Sequence, residues 1–298
     1  MTEPSPAAAP SAAELPALRR RANVLRRHII DMLTRAGSGH PGSSLSSVEI
    51  VTALYFGGFL RYDPERPDWS ERDRFILSKG HGVPVLYAAL AEAGFFPAEE
   101  LETLRSVDSR LQGHPVLGTA PGMEASTGSL GQGLSIGLGM ALAARLDRAD
   151  WNVWVLMGDG ECQEGQVWEA AMAAGHQRPE NLVAIVDFNK FQLDGAVADI
   201  IGLEPLAEKW RAMGWQVREV DGHDLEEVLE ALEWARTRGA PACIVAHTVK
   251  GKGVSFMENN NHYHGVAPTA DERERAMAEL DEALREIAEP AGTAGGTA

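Results

Sequence analysis

Cysteine is nearly absent from this sequence: the 298 residues hold 2, Cys162 and Cys243, and they form no CxxC pair. Two thiols are too few for a disulfide framework, and the simplest expectation is a reducing, cytoplasmic compartment. Basic residues are also scarce. The chain carries 27 Lys and Arg against 43 Asp and Glu, a formal net charge of −16. Binding to a phosphate backbone needs clustered cations, so no nucleic-acid partner is expected. The one basic cluster, Arg19-Arg20-Arg21 with Arg26-Arg27, lies in a helical pattern and reads as a solvated helix face. No run approaches the roughly 20 apolar residues of a membrane span, so no membrane partner is expected either. The start, Met1 to Pro16, is Ala/Pro-rich with two glutamates and does not resemble a signal peptide. Internal repeats and long linkers are missing as well.

What is present is ordinary globular material. A hydrophobic content of 44% with 23% charged residues is enough to bury a core without staples. One domain is expected over 15–287, with disordered tails at 1–14 and 288–298. Helical patterns run from Leu18 to Arg35, Ser46 to Gly57, Pro84 to Ala93, Val167 to His176, Leu225 to Arg238 and Asp271 to Glu289. A Gly/Ser-rich turn spans 37–44, and a glycine-rich turn at Gly128 to Gly133 opens a small-residue helix reaching Arg145. Short apolar runs at Phe75–Leu77, Trp151–Met157, Leu182–Asp187, Trp215–Val220 and Ala242–Ala246 read as buried strands. Strands alternating with helices predict an α/β fold, a mostly parallel sheet covered by helices on both faces. The polar and glycine-rich motifs fall where strands end, which is where open α/β sheets bind ligands.

The segment Gly158-Asp159-Gly160 ends one of these strands. Flanking glycines let the backbone approach a bound group, and Asp159 offers a hard oxygen suited to magnesium. Thirty residues on, another strand ends in Asp187-Phe188-Asn189-Lys190. A βαβ crossover of that length sets neighbouring strand ends side by side. Asn189 then supplies a second, neutral oxygen to the same ion and a following backbone carbonyl a third. Few protein ligands leave room for the oxygens of a diphosphate. Four histidines, His40, His81, His114 and His264, each stand beside glycine in a loop or at a strand end. Histidine suits proton removal from a hydroxyl near neutral pH. His28, His176, His223, His247 and His262 read as structural or merely exposed. Lys250-Gly251-Lys252-Gly253 lacks the Walker spacing and reads as a mobile loop at the mouth of the site, with lysines for a sugar phosphate.

Gly158-Asp159-Gly160 with Asn189 resembles the thiamine diphosphate signature. Ser38-Gly39-His40-Pro41-Gly42, Leu77-Ser78-Lys79-Gly80-His81, Gly113-His114-Pro115, the stretch from Thr127 to Gly133 and His264-Gly265 narrow the resemblance to transketolase. It covers about 18–275 and only the amino-terminal, diphosphate-binding half of that family. The resemblance implies thiamine diphosphate with Mg2+ (or Ca2+) as cofactors. It implies Asp159, Asn189 and the carbonyl of Phe191 as metal ligands, and Gly128-Ser129-Leu130 as the backbone facing the aminopyrimidine. It places Gly160 and His81 at the diphosphate, and His40, His114 and His264 along the substrate channel as catalytic residues, with His264 also near the cofactor. Glu164 resembles an acidic residue buried near a subunit contact.

In the resembling family, the carboxylate that activates the aminopyrimidine lies in a second domain, and no second α/β domain follows here. The resemblance therefore implies a split transketolase: this chain pairs with a separate carboxy-terminal subunit carrying the pyrimidine-binding domain, as a heterotetramer with two copies of each. The implied reaction moves a two-carbon ketol unit from a ketose or its phosphate to an aldose or its phosphate. Alternatives are another thiamine diphosphate-dependent carboligase, deoxyxylulose-phosphate-synthase-like or of a specialised pathway, and a non-catalytic regulatory subunit.

Overall fold

A computed structural model of the protein describes residues 14–288 except Arg238. The expected tails at 1–14 and 288–298 lie, but for their innermost residues, outside the described residues, as does Glu289, the expected end of the last helix. Helix α1 (Leu15–Ala36) starts with proline in its first turn and stops at Gly37, which takes the left-handed conformation at φ 59°. Two helices follow, α2 (Pro41–Leu45) and α3 (Val48–Phe56). Here the structure corrects the expected turn at 37–44 and single helix from Ser46. Pro41 pre-sets a helical start, and the serine hydroxyls then break the helix. Ser44 Oγ donates to the carbonyl of His40 at 2.7 Å and Ser47 Oγ to that of Ser43 at 3.1 Å, competing with the helical ladder.

Strand β1 (Arg74–Leu77) leads into α4 (Val83–Glu92), and a long irregular segment into α5 (Gln132–Asp147). Next come β2 (Val153–Gly158), α6 (Gly165–Gln177) and β3 (Leu182–Phe188). A two-residue hairpin, β4 (Phe191–Gln192) with β5 (Gly195–Ala196), and the short α7 (Val197–Ile200) and α8 (Leu206–Ala212) follow, none of them anticipated from periodicity. The chain continues through β6 (Gln216–Asp221), α9 (Leu225–Arg236), β7 (Ala242–His247) and α10 (Ala270–Ala288). Asp224 caps α9 by accepting from the backbone N–H of Glu226 and Glu227. Helix α9 ends two residues before Arg238, its expected last residue.

The main sheet is parallel throughout, in the order β1-β2-β3-β7-β6. Alternating strand residues face opposite layers. Trp154, Leu156, Val183 and Ile185 join α1, α3, α4 and α9 on one side. Val153, Val155, Met157, Ala184 and Val186 join α5, α6 and α8 on the other. Both central strands are therefore buried at every residue, as parallel strands covered on two faces require.

Register decides what meets at the carboxyl edge. Leu77 stands beside Leu156, Gly158 beside Asp187, and Asp187 beside Ala246. The residues just beyond these pairs, Lys79, Asp159, Asn189 and Thr248, leave neighbouring strands within two residues of one another in register. The chain's buried polar residues concentrate at this edge.

Candidate active site

Asp159 and Asn189 are 1% and 4% exposed and line one cavity of about 380 Å³. The 30-residue spacing had this consequence because β2 and β3 pair directly. Asp159 Oδ1 accepts from Gly160 N at 2.7 Å, and Oδ2 accepts from Lys190 N. Burial, then the neighbouring Asp187, pushes its carboxyl up to about 7, against the pull of the Lys190 and Gly160 N–H groups and Lys79. A carboxylate so placed lacks a counter-charge, and a divalent cation would supply it.

Asp187, which carried no role in the sequence reading, organises the floor of the site. Its Oδ2 accepts from Lys79 Nζ at 2.6 Å, Ser46 Oγ at 2.6 Å and Asn189 Nδ2 at 3.0 Å, and its Oδ1 accepts from Thr248 Oγ1. Burial alone would raise its pKa, but Lys79 and the hydroxyl donors hold it below the usual carboxylate value. Because an ionised carboxylate only accepts, it fixes the Asn189 amide with nitrogen inward and Oδ1 toward Phe191, whose N–H donates to it at 3.1 Å. Lys79 also donates to the carbonyl of Ser43 at 2.6 Å, tying α2 to this edge. A lone charge at the end of an apolar strand run was the available signal for each residue.

Glu161, also missed, braces the glycine turns. It accepts from Ser78 Oγ, from Gly131 N at 2.9 Å and from Gly158 N at 3.1 Å. Burial raises its pKa despite those donors.

The opposite wall is imidazole. His40 lies with its ring centroid 5.2 Å from His81, 5.7 Å from His264 and 6.5 Å from His114, and His81 stacks on His264 at 5.5 Å. Four residues spread over 225 positions of sequence thus converge. Burial, then Arg105, His114 and Lys250, lowers His40 to about 4. Burial, then Lys250, His40 and Lys79, lowers His264 to about 3. His81 falls well below its ordinary value through burial and Lys79, and His114 falls through burial and Arg105. The rings are neutral at neutral pH.

Of the sequence-predicted residues, His40, His81, Gly128, Leu130, Asp159, Gly160, Glu164, Asn189, Phe191 and His264 line the cavity. His114 and Ser129 do not: both are exposed, His114 packing beside Gly128 at the rim. Glu164 is exposed on this chain at the start of α6. Among the structural histidines, His28 pairs with Glu92 and His223 with Glu49, while His262 is exposed against Tyr263. The expected mobile loop is corrected: Lys250 is 1% exposed and lines the cavity, with Nζ 2.7 Å from both Asn261 Oδ1 and His264 Nδ1. Leu193, at the tip of the β4–β5 hairpin, lines the cavity yet is 64% exposed, an apolar contact that periodicity did not flag.

The donor set fits a divalent cation that shares its shell with a bound group rather than a self-contained metal cage. No group of three or more His, Cys, Asp and Glu side chains suited to a metal occurs among the described residues. One carboxylate and one fixed amide oxygen suit an ion that completes its shell with diphosphate oxygens. No helix among the described residues is long and apolar enough to cross a membrane.

Comparison with known proteins identifies the family. Residues 18–282 match the family described as transketolase, thiamine diphosphate binding domain. The chain is 46% identical to the 6-deoxy-6-sulfo-D-fructose transketolase subunit SqwG of Clostridium sp. (strain MSTE9), across 89% of this chain and 96% of that protein. It is 41% identical to an apulose-4-phosphate transketolase subunit of Phocaeicola vulgatus, across 88% and 93% respectively. The crystal structure of transketolase from Campylobacter jejuni superposes with a TM-score of 0.84 at 31% identity, covering 91% of this chain but 45% of that one.

Proposed function

The chain belongs to the transketolase family through its thiamine diphosphate-binding domain, and from that premise we propose that it is the diphosphate-binding half of a two-polypeptide transketolase. Asp159, Asn189 and the Phe191 carbonyl would hold Mg2+ (or Ca2+) on the diphosphate. A separate subunit would complete the pyrimidine end, with two copies of each chain working in the cytoplasm. Relatives named as subunits are spanned almost end to end, whereas the Campylobacter transketolase is spanned for under half its length, which supports a divided enzyme.

When bound, thiamine diphosphate supplies the carbon nucleophile and electron sink for cleaving a ketose between its second and third carbons. This chain's residues orient substrate and handle protons. Lys250, as an ammonium, donates to His264 Nδ1, so neutral His264 carries its hydrogen on Nε2 and presents an N–H donor. His264 then polarises a donor oxygen. His40 lines the cavity with a neutral ring, which is the group placed to take the hydroxyl proton as the bond breaks. The same ring returns that proton to the aldehyde oxygen of the acceptor. By their names the two subunit relatives act on a sulfosugar and a sugar phosphate. A ketose with an anionic tail is the corresponding donor class here.

The observation that carries this reading is one cavity joining the counter-charge-deficient Asp159 and the fixed Asn189 oxygen to a wall of neutral imidazoles. The test mixes purified chain with Mg2+, thiamine diphosphate, ketose and aldose phosphates, with and without the candidate partner subunit. Ketol transfer only in the complete mixture is expected, and full turnover by this chain alone would overturn the two-polypeptide reading.

A further inference from the structure

Outside the cavity lies a buried charged cluster that the chemistry above does not use. Glu49 on α3 accepts from Arg26 NH2 through Oε1 at 2.6 Å and meets His223 Nδ1 through Oε2 at 3.0 Å. Burial raises the Glu49 carboxyl, but Arg26 and His223 outweigh it and hold it below its ordinary value. His223 Nε2 accepts from the backbone N–H of Val249 at 2.7 Å, so that nitrogen is unprotonated and Nδ1 is the donor to Glu49. Arg26 Nε donates to the carbonyl of Lys252 at 3.0 Å. One carboxylate therefore organises two arms, and the arms grip the backbone on either side of Lys250.

We propose that Glu49, His223 and Arg26 form a clamp that positions Lys250 in the active site. The proposal rests on reading this cavity as the catalytic one. Lys250 leaves β7 by three residues; its carbonyl accepts from Asn259 N at 2.9 Å and the Gly251 N–H donates to the Gly42 carbonyl at 3.0 Å. The clamp adds hold on Val249 and Lys252, the residues flanking these contacts. The site needs the Lys250 ammonium on His264 Nδ1 to set that ring's tautomer. The local glycines serve the clamp: a Cβ at Gly253 (φ 91°) would meet Arg26 Nε at 2.5 Å, and one at Gly251 (φ 81°) the Met257 carbonyl oxygen at 2.2 Å. Arg26 thus lies flat against the loop because no side chain intervenes. The three clamp residues are positioning residues that act through Lys250.

The test is amine labelling of the full chain without cofactor, read by peptide mass spectrometry as Lys250 modification relative to exposed Lys190. This readout stands apart from any failure to detect ketol transfer. Glu49→Gln and His223→Ala are compared with Val228→Ala, a core variant on the same side of the sheet that touches none of the clamp bonds. Losing a charged or buried hydrogen bond should raise Lys250 labelling about tenfold or more in the two clamp variants, with Val228→Ala near the wild-type ratio. If Glu49→Gln fails to fold, His223→Ala decides alone, because it leaves the Arg26–Glu49 pair in place. Wild-type labelling in His223→Ala, or an equal rise in Val228→Ala, overturns the clamp.

Discussion

Asp187 faces Asn189 with a carboxylate oxygen 3.0 Å from the amide nitrogen, and this contact decides which way the Asn189 oxygen points. The same oxygen of Asp187 carries the Lys79 ammonium. The Asn189 oxygen is therefore oriented by a buried ion pair at the end of β3, 1% and 0% exposed at its two side chains.

Asp187→Asn should be destabilising. It leaves the Lys79 ammonium buried without its counter-charge, a change worth about 3–5 kcal/mol. It also offers the Asn189 amide a partner that no longer dictates its orientation. Denaturant unfolding of the cofactor-free chain reads the first effect, and a loss within about 1 kcal/mol would mean that Lys79 finds water or another anion.

Asp159→Asn should do the opposite to the empty fold. Burial and Asp187 disfavour the Asp159 carboxylate, so neutralising it should leave the unfolding midpoint unchanged or raised. Mg2+ with thiamine diphosphate should then no longer stabilise the chain in the presence of its partner subunit. Retention of that ligand-dependent stabilisation would remove Asp159 from the metal site.

The imidazole wall predicts an acid limb. His40 at about 4 and His264 at about 3 lie below their ordinary 6.5. As pH falls from 6.5 toward 4, the unfolded chain takes up protons that the folded chain refuses, so folding stability falls with pH in that window. Melting temperature measured across it should decline less steeply in a His40→Asn/His264→Asn double variant. Parallel wild-type and variant curves would show that these rings do not resist protonation.

Gly133→Ala probes the brace under the glycine turn. A Cβ there would come 2.3 Å from Ser78 Oγ and 2.9 Å from Ser78 Cα, forcing apart the Ser78–Glu161 contact. Overpacking of this kind costs about 1–3 kcal/mol. Calorimetric unfolding checks it, with Gly139→Ala in the same helix, which meets nothing within 4 Å and should stabilise, as the unhindered comparison.

Much of the fold was readable because hydrophobic periodicity is local. The all-buried runs of β2 and β3 and the long amphipathic α1 are written in consecutive residues. Asp159 and Asn189 were readable because a 30-residue crossover leaves two strand ends little choice but adjacency. The breaks were harder: the serines that divide α2 from α3 act through hydroxyl bonds to carbonyls, which a polar/apolar pattern does not encode. The β4–β5 hairpin and α7 were too short to show a period.

By itself the sequence determined the layer architecture, the adjacency of Asp159 and Asn189 and the family, because each depends on local spacing or on motifs carried in order. Only the tertiary structure decided that Asp187 meets Lys79 across 108 positions, that Glu49 meets His223 across 174, and that Lys250 is held rather than mobile. A buried charge must find a partner, but which one it finds is settled by strand order and helix packing, and those are properties of the folded chain.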